Sequence, residues 1–514
     1  MPKNIAVFSD GTGQDGGVHA EQRLSNVYKL YRVCRPGPDS GIDPRQQVAF
    51  YDPGLGTEGS ATARTGPVRT FQKLLGQVTG RGVTDNIADC YEFIVNHYEP
   101  GDRIFLIGFS RGAYTVRAVA NLIRLCGIPT RAADGGPLPR FRKATRDIAR
   151  EAVLDVLEHG AGHPQEDFET EREELATRFR TRYGSHHESG EDWRSNAAPY
   201  FAGVFDTVAA LGAKGPRRLA IRLGLALGVG LAALGPAVLA GGLVASLSSM
   251  TFWPAAGAAF ALFTLAGWGL LLFRLRRSVR KTIRDYPAKG DVRSHRAEWK
   301  GEHFPRLLSR FVPFARSANA IDETRADFDR LPWGYGKDIK PDEMIEGHRR
   351  FVQMWFAGNH SDVGGSYPEA ECRLSDIALA WMIEEATVIP EGLLVDGQPA
   401  PGQALGIHRL QLFPAADGLQ HCEVAGMRDL LEGLPWPLSR VAKARGWAIK
   451  IRTIHPEAPV HPSVFTRFAL SEARQCNGNG PYRPMALADH RDFRQFYYLG
   501  DCRAPGDARS LGAA

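Results

Sequence analysis

From Leu223 to Phe273 the chain carries no Asp, Glu, Lys, Arg or His. Crossing the hydrocarbon of a bilayer takes roughly 20 apolar residues as helix. Leu223–Leu247 and Trp253–Phe273 both meet that length, parted by the serine-rich Ser246–Ser249 and by Pro254. The stretch therefore predicts a two-helix hairpin with a tight turn, and Phe252 and Trp253 fall where interfacial aromatics would lie. Its flanks are basic: Lys214, Arg217, Arg218 and Arg222 precede it, and Arg274, Arg276, Arg277, Arg280, Lys281 and Arg284 follow. Positive charge at both outer ends and none in the turn puts both ends on the cytoplasmic side. The alternative is a pair of buried core helices, but such helices rarely run so far without a polar face. Gly224, Gly228, Gly230, Gly235, Pro236, Gly241 and Gly242 in the first helix keep a re-entrant hairpin open.

These flanking cations outnumber the net charge of +6, which leaves the rest of the chain slightly acidic. No nucleic-acid partner is expected from such a distribution. The 514 residues suffice for two or three domains, or for one large α/β domain with insertions. Cys34, Cys90, Cys126, Cys372, Cys422, Cys476 and Cys502 are scattered without a C-x-x-C pair. That pattern speaks against a disulfide framework or a zinc knuckle and suits a reducing compartment. Met1–Asp10 does not read as a signal peptide, because its apolar run is too short.

Hydrophobic patterning sets the fold class. Ile5–Phe8 and Val48–Tyr51 read as short strands, and Ile104–Ile107 is an unbroken apolar run of the kind a strand buried on both faces shows. Helices are predicted from Ser25 or Asn26, over Asp85–His97, from Gly112 to Cys126 and over Ser375–Ala386. Tyr200–Phe205 and Phe351–Ala357 add further strands. Alternating strands and helices predict an α/β-hydrolase-like, doubly wound, mostly parallel sheet. Residues 130–198 are charged and amphipathic, a helical insertion and candidate lid. The expected division is 1–213 for the first part of the hydrolase domain, 214–284 for the hairpin with its flanks, and 285–514 for the second part with a C-terminal extension. Periodicity beyond 390 is weak and predicts no element.

Gly108-Phe109-Ser110-Arg111-Gly112 matches G-x-S-x-G, with a buried strand before it and a helix after it. A sharp strand-to-helix turn lifts Ser110 above the sheet as a nucleophile. The Arg111 N–H then faces the developing oxyanion at a helix N-terminus. Gly11 or Thr12, in Ser9-Asp10-Gly11-Thr12-Gly13, is a candidate for a second oxyanion N–H, with Asp10 in support. Asp206, at the tip of Tyr200–Phe205, is the expected acid. His360, in the Gly358–Gly365 loop, is the expected base and is read as exposed; Asp362 either holds that loop or replaces Asp206. His455 and His461 are rival bases, but each precedes a proline and reads as part of a rigid turn. His186, His187, Glu188 and Glu191 read as a solvated loop rather than a metal site, and this chemistry calls for no cofactor.

Taken together, Phe8–Gly13, Ser25-Asn26-Val27, Tyr51–Thr57, Gly108–Tyr114, Val204–Val208 and His360–Gly365 resemble an α/β-hydrolase domain family. Its better-known members are phospholipase effectors delivered by bacterial type VI secretion. The resemblance implies a Ser110–Asp206–His360 triad and esterase or phospholipase activity. It makes an acyl ester or phospholipid the expected substrate and a lipid bilayer the expected partner. The uncharged insertion departs from what an exported effector needs and favours a resident enzyme of the bacterial inner membrane. Arg217 follows Asp206 closely enough that the membrane entry lies within about 40 Å of the acid, even fully extended. Competing readings are a membrane-tethered esterase or thioesterase for soluble acyl compounds, and a catalytically silent membrane-bound scaffold. A channel is excluded, since two spans without an intramembrane charge offer no ion path.

Overall fold

The computed structural model describes residues 2–11, 14, 23–54, 81–191, 193–208, 215–278, 280–297, 307–334, 340, 342–396, 410–423, 448–476 and 478–498. In chain order the first elements are β1 (Asn4–Ser9), α1 (Asn26–Cys34), β2 (Gln47–Asp52), α2 (Arg81–His97), β3 (Arg103–Phe109) and α3 (Arg111–Cys126). The insertion supplies α4 (Lys143–Glu151) and α5 (Glu169–Tyr183), and β4 (Pro199–Phe205) follows. The apolar hairpin is α6 (Gly215–Leu247) and α7 (Phe252–Ser278), with β5 (Arg280–Arg284) and β6 (Val292–Arg296) at its base. Then come β7 (Phe314–Ala320), β8 (Phe351–Phe356), α8 (His360–Gly364), α9 (Arg373–Thr387) and α10 (Pro462–Ala469).

Six strands form one parallel sheet in the order β2-β1-β3-β4-β7-β8. The chain winds from β1 outward to β2, then returns to the other side of β1 with β3. The strand order thus reverses between β1 and β3, and the crevice beyond their C-terminal ends is where such sheets hold ligands. The apolar run of β3 divides by alternation. Ile104 and Leu106 join the core under α2 and α3, while Phe105 and Ile107 join the core under α1 and α9. The Ser25 hydroxyl caps α1 by accepting the Tyr28 N–H at 3.0 Å.

β7 was not expected from the sequence, because Arg316, Ser317 and Asn319 interrupt its apolar pattern. All three side chains are buried and satisfied: Arg316 pairs with Glu385, and the Ser317 hydroxyl donates to Asn319 Oδ1 at 3.0 Å. The insertion packs as a helical layer on α2 and α3, with Ile148, Val153, Ala176 and Phe179 in their core.

α6 and α7 pack along one another, and the Trp268 indole donates to the Ala226 carbonyl at 3.0 Å. Both are long and apolar enough to cross a membrane by length and composition. Their large side chains point outward: Leu239 is 76%, Leu247 78% and Trp253 80% exposed. These are not the faces of core helices. β5 and β6, at the hairpin's base, dock on the helical insertion through the Lys281–Glu158 ion pair at 2.7 Å.

The scattered cysteines need one correction. Cys422 and Cys476 are joined by a disulfide, because the C-terminal chain folds back to bring their Cα atoms within 5.5 Å. Cys34, Cys90, Cys126 and Cys372 are free and buried. The weakly patterned region beyond 390 also builds a core, in which Ile454, Val464, Phe468, Tyr482 and Phe493 close over Trp355 of β8.

Candidate active site

Ser110 stands between β3 and α3 with φ 58° and ψ −118°, a backbone state that non-glycine residues seldom hold. Its N–H donates to the Phe205 carbonyl at 3.1 Å, and its carbonyl accepts the Tyr114 N–H at 3.3 Å. The turn is tight enough to demand glycine nearby. A Cβ on Gly112 would lie 2.0 Å from the Ser9 carbonyl oxygen and 2.6 Å from that of Asp10. Gly112→Ala should therefore cost about 3 kcal/mol, read as a lowered thermal midpoint. Gly480→Ala, where a Cβ meets nothing within 4 Å, should leave that midpoint unchanged.

Asp206 follows β4 directly and is fully buried with φ 38°. Its Oδ1 accepts the Ala320 N–H at 3.0 Å, and its Oδ2 lies 2.6 Å from His360 Nδ1. Arg452 forms a two-pronged ion pair with the same carboxylate, Nη1 to Oδ1 and Nη2 to Oδ2, the latter at 2.8 Å. Burial opposes the charge on Asp206. The Arg452 cation and the hydrogen bonds from His360 and Arg452 outweigh it and hold the carboxyl well below the usual carboxylate range.

The expectation that His360 lies in an exposed loop does not hold. His360 opens α8 and is 3% exposed. Asn359 caps the helix by accepting the Ser361 and Asp362 N–H groups, and Asp362 accepts the Asn359 N–H at 3.0 Å. Gly364 then packs so closely on the Phe109 ring that a Cβ would lie 1.9 Å from it. The imidazole sits between Phe109 and Phe328, at ring separations of 4.7 and 5.2 Å. With Nδ1 on Asp206, Nε2 is left buried and makes no hydrogen bond among the described residues. A neutral imidazole that donates from Nδ1 carries its lone pair on Nε2, the state a general base requires.

Asp362 faces away from this pair. It takes the His421 backbone N–H at 3.0 Å and His421 Nδ1 at 2.7 Å, and so anchors α8. Asp10 accepts from Ser25, from the Tyr51 hydroxyl at 2.7 Å and from the Gly11 N–H at 2.7 Å. Burial pushes its carboxyl up, to about 6, against those bonds. The Gly11 N–H is thus engaged by Asp10, while the Gly11 backbone lies against Phe109 and Ser110. Thr12 lies outside the described residues. Arg111 begins α3 next to Ser110.

The rival histidines stand elsewhere. His461 caps α10 and stacks on Phe356, and His455 Nδ1 accepts the Glu457 N–H at the surface. His186 and His187 engage Thr181 and Ser189. Sequence reasoning did not reach Arg452, Ser25, Tyr51 or His421 as supporting residues. The alternation of Ile449, Ile451 and Thr453 with Lys450 and Arg452 was the available strand-like signal, but it does not say which carboxylate Arg452 would meet.

One further group offers metal-competent atoms, His159, Glu171 and His295, all within 4.8 Å of one another. Each already has a protein partner. His159 Nε2 and Glu171 Oε2 are 2.8 Å apart, Gly160 N–H donates to His295 Nε2 at 3.0 Å, and Arg293 donates to Glu171 at 3.3 Å. The cluster reads as a hydrogen-bonded seam between the insertion and β6.

A family model described as the T6SS phospholipase effector Tle1-like catalytic domain matches residues 3–226 and 279–385. The gap in that match falls within the α6–α7 hairpin. A curated relative, the Uncharacterized protein YEL023C of Saccharomyces cerevisiae, is 33% identical over 130 residues, covering 24% of this chain and 18% of that protein. A crystal structure of an uncharacterized protein from Pseudomonas aeruginosa aligns with a TM-score of 0.33 and 17% identity, over 86% of this chain and 52% of that one. The Tle1 effector bound to the VgrG spike from the type 6 secretion system aligns with a TM-score of 0.27 and 14% identity, over 72% and 52%. The chain therefore spans about half the length of these two solved chains and a smaller share of the yeast protein.

Proposed function

Since this chain belongs to the Tle1-like phospholipase effector catalytic domain family, we propose that it is a serine hydrolase that cleaves acyl esters of phospholipids at a membrane. The observation that carries this reading is the buried Asp206–His360 pair with Nε2 open, at the same end of the sheet as the strained Ser110 turn. In this reading Ser110 Oγ attacks the ester carbonyl, and its proton passes to His360 Nε2. Asp206 stabilises the resulting imidazolium. The Arg111 N–H, at the head of α3, supports the oxyanion. The tetrahedral intermediate then expels the lipid alcohol, which takes the proton from His360. Water next attacks the acyl-serine with His360 again as base, and the fatty acid leaves as Ser110 recovers its proton.

The α6–α7 hairpin gives the reading its location. Two helices that are uncharged over Leu223–Phe273 and show leucine and tryptophan to the outside, with basic residues at both outer ends, suit insertion from the cytoplasmic side of an inner membrane. The hairpin departs shortly after the Asp206-Thr207-Val208 segment, so it tethers the catalytic end of the sheet to the bilayer. Replacing residues 215–278 with a short Gly-Ser linker should move the protein from the membrane fraction to the supernatant. Hydrolysis of a soluble short-chain ester should persist, while cleavage of liposomal phospholipid falls roughly tenfold or more, as expected when tethering is lost. A variant that still sediments with membranes, or that cleaves liposomes like the full chain, would contradict the tethering.

A further inference from the structure

Arg452 lies outside the residues that the family model matches, yet its guanidinium reaches the carboxylate read here as the catalytic acid. It arrives on an extended segment that docks beside the end of β7. Lys450 N–H donates to Thr324 at 2.8 Å, and Ala448 accepts the Ala326 N–H at 2.9 Å. The guanidinium is buried and planar, and it binds four acceptors: both Asp206 oxygens, the Ala320 carbonyl at 3.0 Å and the Phe328 carbonyl at 3.0 Å. Such a fork fixes the plane of a carboxylate as a lysine cannot.

We propose that Arg452 is a positioning residue of the catalytic site, which locks Asp206 in the orientation His360 needs. The proposal rests on the Ser110–Asp206–His360 reading. Its geometric core is that Asp206 Oδ2 serves two donors at once, His360 Nδ1 at 2.6 Å and Arg452 Nη2 at 2.8 Å. The shared oxygen points at the imidazole because the second oxygen is held by Arg452 and by the Ala320 N–H. Arg452 therefore gives a well-aimed base.

The other charges around this pair come from several elements. Arg330, beside the Thr207 turn, adds to the positive side. Glu323 accepts the His360 backbone N–H at 3.3 Å and is itself paired with Arg325 at 2.8 Å, while Asp329 is paired with Lys450. Both acids on the negative side thus have their own cations. Arg452 is the cation bonded to Asp206 itself.

The test measures kcat and KM for the full-length protein in detergent with a soluble p-nitrophenyl ester. The wild type is compared with Arg452→Met and Arg452→Lys, and Ser110→Ala serves as control. Arg452→Met should lower the plateau kcat by about 100-fold, the loss that follows when a reacting group is misaligned by about an ångström. KM should change little, because the fork acts on the catalytic pair and not on ester binding. Arg452→Lys keeps the charge and loses the fork, so kcat should fall with KM again unchanged. A folded Arg452→Met that keeps wild-type kcat, or loses rate only through a raised KM, would reduce Arg452 to a structural role. A Lys variant with wild-type kcat would overturn the positioning claim, and it decides the matter if the Met variant does not fold. Full activity in Ser110→Ala would instead remove the underlying reading, and that result is distinct from any of these.

Discussion

Replacing Ser110 with alanine should abolish ester hydrolysis, by roughly 10⁴-fold or more, while leaving the thermal midpoint close to that of the wild type. The size of the loss follows from removing the one atom on which an acyl-enzyme can form. What remains is the catalysis of substrate binding and oxyanion contacts alone, as in serine hydrolases stripped of their nucleophile. Stability should hold because the described contacts of Ser110 are made by its backbone, through Phe205 and Tyr114, and alanine keeps both. The replacement also retains the strained φ of 58°, so the strain is neither relieved nor increased. Steady-state hydrolysis of a soluble ester, followed beside a melting curve, reads both quantities. A Ser110→Ala protein with wild-type turnover would exclude a serine nucleophile at this turn.

Asp206→Asn should damage activity and stability together, unlike Ser110→Ala. The amide cannot support the imidazolium as a carboxylate does, and it sets the wrong tautomer when its NH₂ faces Nδ1. A loss of about 10⁴-fold in kcat is the expected scale. The buried guanidinium of Arg452 would also lose its counter-charge, at about 3–5 kcal/mol. This penalty has a pH signature. Asp206 has a depressed carboxyl pKa in the folded state, against about 3.9 in an unfolded chain. Its contribution to stability is therefore complete above about pH 5 and fades as pH falls further toward the folded value. The gap in thermal midpoint between wild type and Asp206→Asn should be wider at pH 7 than at pH 3. An equal gap at both values would mean that the carboxylate charge is not what stabilises the native state.

Much of this arrangement was legible in the residue order, for identifiable reasons. Ile104–Ile107 is apolar on both faces because β3 is covered on both, and G-x-S-x-G follows it because the turn admits no Cβ at Gly112. Asp206 at the tip of a strand is a placement that alternation alone suggests. The surroundings of His360 were misread, because Gly358 through Gly365 has the composition of a loose loop. The order there comes from a capping box on Asn359 and Asp362, from His421 and from the Phe109 ring, and the last two are fixed by tertiary packing. β7 escaped notice because its buried polar side chains find partners that local sequence does not name. Arg452 is 246 residues from Asp206, and the Cys422–Cys476 bond likewise depends on how the C-terminal chain folds back. Long-range electrostatics leaves no periodic trace in sequence.

The most direct test of an activated serine is covalent capture with a fluorophosphonate probe, located by peptide mass mapping on the full-length protein in membranes. One adduct on Ser110, absent from Ser110→Ala and strongly reduced in His360→Ala, is the predicted result. A folded wild-type protein that takes up no probe, or that carries it on another residue while hydrolysing esters, would contradict a Ser110–Asp206–His360 mechanism.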